Sequence, residues 1–455
     1  MELGAPKLLM ARFCGIFLSL VLFCLPAFAQ VSSSLLLQNE SFISPDYQAT
    51  DQVQYQFLGY RAKSEEDANL LNVDSELVMA VGAPLLNYIK IKDLSAELKS
   101  SDKEKFVFGR RQQFWSSLDS RWAFGVIEPT FEWNPLSRER LALTGIFWQR
   151  DESDFSLSAF WSPLYIPDQG PSFEIDNQGK FTQKNPWFQT PPKTFRPFSS
   201  ATSDSTIKYS LKRPPNSEII GQTSLGGSFE KLMFEKLLTR VTYFYKPMNQ
   251  LALAYSGAYV VSTDQGQVDL LPEVIYHRVV AADLIFKSGL FEMGASYIQD
   301  HPTNESFDTE WTAPVYEDAQ IYSAYVQINR RHQKFSFEYL TLENGRVSEV
   351  GDLANSTRAP ISSRYPLTEA YKIRHQMNLN LKAQQRLSLD TSWTHSDRNQ
   401  FDLFQIRGTF QYNRKWQIYS DMQLVKAKQL NVKNVNDMTS FADNDRLLVG
   451  VAHAL

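Results

Sequence analysis

The sequence predicts an all-β chain: a transmembrane, antiparallel, closed β-barrel of 18–20 strands, with short periplasmic turns and long extracellular loops. Three observations carry that expectation. The N-terminus reads as an export leader, many segments alternate apolar and polar side chains with a period of two, and the connections between them alternate short and long.

The leader comes first. Lys7 and Arg12 form a basic start, Phe13 to Leu25 carries no charge, and Pro26 precedes Ala27-Phe28-Ala29. That is the small-x-small pattern of a secretory cleavage site, so residues 1–29 are expected to be removed. The uncharged run is too short to cross about 30 Å of hydrocarbon. Both cysteines, Cys14 and Cys24, fall inside this leader. The exported chain then has no disulfide, no thiolate metal site and no cysteine nucleophile. Phe13 and Phe23 precede the two cysteines where a lipoprotein needs a small residue.

Composition narrows the class. Removing Glu2, Lys7 and Arg12 with the leader takes the formal charge from −4 to −5. Nucleic-acid binding wants a basic excess, so no nucleic-acid partner is expected. Aromatic residues make up 13% of the chain, yet its mean hydropathy is negative. No run of 18 apolar residues follows the leader, which excludes helical membrane spans. An aromatic-rich but polar chain fits a barrel with one face in lipid and lipopolysaccharide and the other in water.

Alternation places the strands. In 236–246, Val241, Tyr243 and Tyr245 share one face and Arg240, Thr242 and Lys246 the other. Leu251, Leu253, Tyr255 and Tyr259 do the same in 250–260, and Phe335, Phe337 and Tyr339 in 333–342. Segments 372–382, 386–395 and 402–412 follow the rule. Further strands are read at 53–61, 75–81, 88–98, 104–111, 121–132, 139–149, 153–162, 205–212 and 219–229. Residues 30–51 are polar and show no strand pattern, so they are read as a periplasmic N-terminal segment and the natural tether for a periplasmic partner. The barrel itself is assigned to 52–455.

The connections are independent of the alternation. Asn413-Arg414, 383–385, 330–334, 287–289 and 246–249 are short; 426–445, 396–401, 343–371, 299–318 and 261–270 are longer. Outer-membrane barrels sort their loops this way, and a soluble sandwich has no reason to. Residues 163–204 stand apart, with six prolines from Pro163 to Pro192 and then Pro197. Proline resists the strand ladder. This loop is expected to narrow the lumen or cap its mouth, with Pro167, Trp187, Phe188 and Arg196 as constriction residues.

The C-terminus, RLLVGVAHAL over 446–455, sets Leu447, Val449, Val451 and Leu455 on one face. It resembles the terminal strand by which bacterial outer-membrane proteins are recognised by the barrel-assembly machinery. Leu455 and His453 stand where that signal usually has aromatics. Residues 106–149 contain FVFGRRQQFW, WAFG and ALTGIFW. Gly-Arg-Arg followed by Trp resembles segments of porin-like and polysaccharide-export barrels. The resemblance implies a pore or export conduit and assigns no subfamily.

Chemistry-bearing patterns are sparse. No histidines are spaced as H-E-x-x-H and no Gly-rich phosphate loop occurs, so no metal, cofactor or catalytic residue is expected. His395-Ser396-Asp397 are neighbours on a strand, where successive side chains point to opposite faces and do not converge. Glu65-Glu66-Asp67 and the group Asp300, Glu305, Asp308 and Glu310 read as solvated loop charge. Gly226-Gly227 suggests a bend or bulge.

By parity the lumen receives Arg140, Arg240, Glu338, Arg374, Asn378, Asn380, Lys382, Asp390, Arg407, Gln411 and Asp421. Charges facing lipid at the bilayer midplane would cost about 2–4 kcal/mol. Three readings follow: a porin-like channel for small polar solutes, a barrel component of an envelope-spanning export or surface-assembly complex, and a surface hydrolase. The oligomeric state stays open, a homo-oligomer included.

Overall fold

The structure, a computed structural model, describes residues 31–455 except 45–49, 65–70, 183, 197–203, 304–310, 346, 350–363, 383, 399 and 428–440. The expected leader lies outside the described residues, as do Glu65–Asp67, Glu305, Asp308 and Glu310.

Eighteen strands pair in chain order, each antiparallel to the next. They are β1 Val31–Phe42, β2 Gln54–Ser64, β3 Leu71–Ala80, β4 Tyr88–Lys99, β5 Glu104–Arg111 and β6 Leu143–Asp151. Then come β7 Phe155–Ser162, β8 Ser224–Met233, β9 Leu237–Pro247, β10 Tyr276–Ser288, β11 Phe291–Pro302 and β12 Ala319–Arg330. The last six are β13 Gln333–Asn344, β14 Glu369–Lys382, β15 Gln385–Ser396, β16 Phe401–Gln411, β17 Trp416–Ala427 and β18 Arg446–Ala454. β18 returns to β1, with Ser34 opposite Ala454 and Phe42 opposite Arg446, so the sheet closes. Closure leaves no unpaired edge, which is the condition for strands to cross hydrocarbon.

Both termini lie at one end of the barrel. The turns described there are short: 100–103, 152–154, 234–236, 289–290, 331–332 and 412–415. The opposite end carries the longer connections 112–142, 163–223, 248–275, 303–318, 345–368 and 428–445, beside shorter ones at 43–53, 81–87 and 397–400. Outward side chains are apolar around the circumference, including Leu37, Leu58, Ile89, Phe108, Trp161, Phe229, Val241, Leu284, Phe337, Ile373, Phe404, Ile418 and Val449, all exposed. A continuous apolar belt of this kind fits a lipid-facing surface and not one facing water. At the terminal end His453 packs edge-on against Trp416, 4.4 Å between ring centres.

Four expectations are corrected. Residues 31–42 are the first barrel strand and not a tether. Leu35 and Leu37 face outward, while Leu36 faces inward and is buried; three successive leucines therefore hid the alternation. Residues 121–132 are not a strand but part of an inward loop. Segments 205–212 and 250–260 do hold strands, yet these join a separate sheet at the loop end. There Ser205–Leu211 runs parallel to Gln265–Glu273, which pairs antiparallel with Ala252–Val260. Alternation identifies a strand but not the sheet it joins, and 246–249 accordingly is no terminal-end turn. Finally, Gly226 and Gly227 continue the β8 ladder without a register shift. A Cβ at Gly226 would overlap the Phe244 ring, so the glycine makes room for an aromatic neighbour inside the barrel.

Candidate functional site: the lumen and its inward loop

The segment between β5 and β6, residues 112–142, turns into the barrel and fills much of its loop end. Its apolar side chains explain why. Trp115, Leu118, Phe124, Val126, Ile127 and Leu136 are buried in one cluster with wall residues Tyr55, Phe147, Phe160, Phe244, Ile298 and Leu340. Trp115 meets Phe244 edge-on at 4.8 Å and Phe160 at 6.5 Å.

Polar contacts fix the register of this plug. Thr242 Oγ1 donates to the Trp115 carbonyl at 2.7 Å, and the Ser117 N–H points at both Asp283 oxygens at 3.1 Å. A short helix, Ser117–Trp122, ends at Ala123 in the left-handed region (φ 47°). That conformation is uncommon for a residue with a Cβ, and it turns the chain back on itself. Asp119 holds the return: its carboxylate accepts the backbone N–H groups of Gly125, Val126, Ile127 and Glu128 at 2.8–3.3 Å. Burial pushes the Glu128 carboxyl up to about 8, against the pull of Arg140 and the Gln113 N–H. Burial would also raise Glu139, but Lys90 and Lys92 bring it down to about 2.

Beside the plug a cavity of about 160 Å³ remains. The plug contributes Arg121, Trp122 and Arg138, loop 345–368 contributes Pro366 and Leu367, and the wall contributes Lys372, Arg374, Asp390, Gln405 and Arg407. Arg121 lies flat on the Tyr325 ring, 3.3 Å from its centre. It also reaches Glu338 at 3.1 Å and Glu292 at 3.3 Å. Gly294, under Tyr325, has no side chain to lift that ring. Lys372 Nζ bonds Glu338 at 2.9 Å and sits 4.2 Å over Trp122. Arg374 Nε donates to Asp390 at 2.8 Å. Arg407 pairs with Asp421 at 3.4 Å and donates to Ser137 of the plug. Arg446 bridges Glu40 of β1 at 3.0 Å and Asp421 of β17 at 2.8 Å, a staple across the seam.

Each of these cations has a carboxylate partner, but the partners are not equally wet. Side-chain exposure is 36% for Arg374 against 23% for Asp390, 41% for Arg407 against 18% for Asp421, and 39% for Arg61 against 6% for Glu76. At these three pairs water meets the cation more than its carboxylate, whereas Lys90, Arg240 and Arg446 are less exposed than Glu139, Glu230 and Asp421.

The residues expected in the lumen fall into five groups. Glu338, Arg374, Asp390, Arg407 and Asp421 gather around the cavity or directly behind it. Arg240 pairs with Glu230 and lies near Asp283, with Phe114 of the plug 4.3 Å from its guanidinium. Asn378, Asn380 and Gln411 share the parity of these inward positions toward the terminal end, where Ser388 donates to Asn378 at 2.7 Å. Lys382 lies beyond a register shift after Asn380, where parity no longer assigns its face. Arg140 is inside the barrel, but on the plug and not on a barrel strand: Glu139–Arg140 pairs with Thr130–Phe131 within the loop, and the Arg140 Nη1 meets Glu128 at 2.7 Å.

Of the two roles expected for 163–204, narrowing of the lumen falls to residues 112–142 instead. The described residues of 163–204 lie against that plug, where the Gln169 N–H donates to the Thr130 carbonyl at 2.9 Å. Trp187 is buried between Phe42 and Phe441. Phe188 stacks on Phe173 and Phe181 in a second cluster. Arg196 is exposed, paired with Asp204. Pro167 precedes Asp168, whose carboxylate accepts the Thr130 N–H of the plug at 2.5 Å. Lys372 shares parity with Arg374 and was readable. Arg121 was hidden in a segment read as strand, and Arg138 in the connection between two such segments.

The hydrolase constellation does not assemble. Ser396 is fully buried and donates to the Glu369 carbonyl, whereas His395 bonds Asp402 at 2.8 Å and Asp397 at 3.1 Å. Asp300, read as loop charge, is buried in the wall.

No family model and no curated protein matches this chain. Among solved structures it is similar to OpdQ of Pseudomonas aeruginosa, at 10% identity and TM-score 0.43 over 94% of this chain and 97% of that one. It is similar also to a BenF-like porin from Pseudomonas fluorescens Pf-5, at 10% and 0.43 over 93% and 98%. A third is OccAB4 of Acinetobacter baumannii, at 10% and 0.45 over 94% and 98%. Likeness at this level places the chain in none of their families.

Proposed function

We propose that this chain is an outer-membrane channel for the passive passage of small polar solutes, with a preference for anions. The apolar belt and the closed ladder support the membrane placement, and the expected leader supports export. The short turns then face the periplasm and the long loops the outside. The observation that carries the reading is the cavity between plug and wall, where Arg374 and Arg407 are wetter than the carboxylates that pair with them. Fixed charge on a pore wall sets the sign of the ions that enter.

The alternative of an export-machine component loses its expected tether, because residues 31–42 are spent in closing the barrel. The test is ion conductance of the full-length protein in planar bilayers under a salt gradient. A reversal potential of anion-selective sign is expected. Absence of conductance from a correctly folded barrel would sink the proposal.

A further inference from the structure

We propose that Asp300 is a positioning residue for this pore, fixing where Pro366 and Leu367 stand beside the passage. The inference rests on the channel reading above. Asp300 sits near the loop end of β11 and is buried. Its Oδ1 meets His277 Nδ1 of β10 at 2.7 Å. Its Oδ2 accepts the Tyr365 hydroxyl at 2.7 Å and pairs with Arg364. Arg364 also donates to the Glu317 carbonyl at 2.7 Å. One carboxylate thus gathers two strands and the incoming end of loop 345–368.

The next two residues along the chain, Pro366 and Leu367, line the 160 Å³ cavity. Tyr365 stacks on Phe124 of the plug at 5.2 Å, with ring planes 15° apart, and Trp122 and Ala123 just before Phe124 line the same cavity. Both sides of the opening are therefore registered on Asp300. Asp300, His277, Arg364 and Tyr365 do not line it themselves; they border a separate cavity of about 20 Å³ behind it. The chemistry requires an ionised carboxylate. A guanidinium, a phenol and an imidazole N–H are all donors, and an asparagine in its place offers one acceptor oxygen and an NH2 group that opposes them.

The test compares Asp300→Asn with wild type in planar bilayers, using full-length protein with barrel folding checked by heat-dependent gel mobility. Larger mean conductance with a noisy open level is expected, at unchanged anion preference, since Arg374 and Arg407 are untouched. If Asp300→Asn does not assemble, Tyr365→Phe and Arg364→Lys are read instead, each expected to add open-level noise. Wild-type conductance and noise in the folded variants overturn this inference alone. A silent wild-type protein overturns the channel reading with it.

Discussion

Trp115→Ala isolates what the inward loop contributes. The indole is 1% exposed and is held edge-on by Phe244 and Phe160. Truncating a buried tryptophan to alanine costs about 3–5 kcal/mol. Here that cost falls on docking of the plug and not on the barrel ladder, because Trp115 touches the wall only through its inner face. Tenfold in an equilibrium constant is about 1.4 kcal/mol, so the undocked loop should be visited more often by a factor of roughly a hundred to a few thousand. The Asp119 and Asp283 contacts remain, so the plug is loosened and not lost. Single-channel recording should show a raised conductance or brief large openings, while the unboiled protein keeps its compact gel mobility. A folded Trp115→Ala barrel with the wild-type current trace would refute the assignment of 112–142 as the plug.

Other perturbations follow from the same geometry. Arg407→Gln and Arg374→Gln remove wetted cations; at 4 Å in water-like surroundings a unit charge pair is worth about 1 kcal/mol, so anion-over-cation permeability should fall by up to roughly fivefold for each. Reversal potentials measure it, and an unchanged ratio in both variants counts against the anion preference. Arg446→Ala leaves Glu40 buried without its partner, a change worth about 3–5 kcal/mol, and should lower the temperature at which the heat-resistant gel band disappears. Glu128 has a folded pKa of about 8, above its ordinary 4.5. Its favourable contribution is complete below the ordinary value and is lost as pH rises through the folded one. Wild-type stability should therefore decline with rising pH in that window relative to Glu128→Gln, by at most about 1.4 kcal/mol per pH unit. Parallel melting profiles for the two proteins would contradict it.

How much of this was readable from the sequence depended on where each segment sits. Strands with lipid on one side and water on the other, such as β14 to β17, alternate cleanly, and Arg374, Asp390, Arg407 and Asp421 could be placed by parity. Alternation fails where the lumen holds protein instead of water. Leu36 points inward yet is apolar and buried, with Gly59 of β2 leaving room for it, and that concealed β1. The plug escaped notice for the same reason: Phe124, Val126 and Ile127 look like strand residues, and nothing local says that they are buried inside a barrel. Pro129, Pro135 and Gly125 were the available signal, since such residues interrupt a ladder. The proline-rich 163–204 drew attention by composition, but composition marks an irregular backbone and not its position. Asp300 was missed because a carboxylate beside a loop looks solvated until its three donors are seen together.

Closure of the barrel by β1 against β18 is the central claim, and a disulfide tests it most directly. No cysteine occurs after Cys24. Leu37 stands opposite Val451 across the seam, and directly opposed antiparallel residues lie about 4.5–5.5 Å apart, within disulfide reach. A Leu37→Cys, Val451→Cys double variant should form an intramolecular bond under mild oxidation, seen as a faster band in boiled, non-reduced samples and abolished by reductant. A folded, heat-modifiable protein that forms no such bond would contradict the closure, and with it the account of residues 31–42 as the strand that seals the barrel.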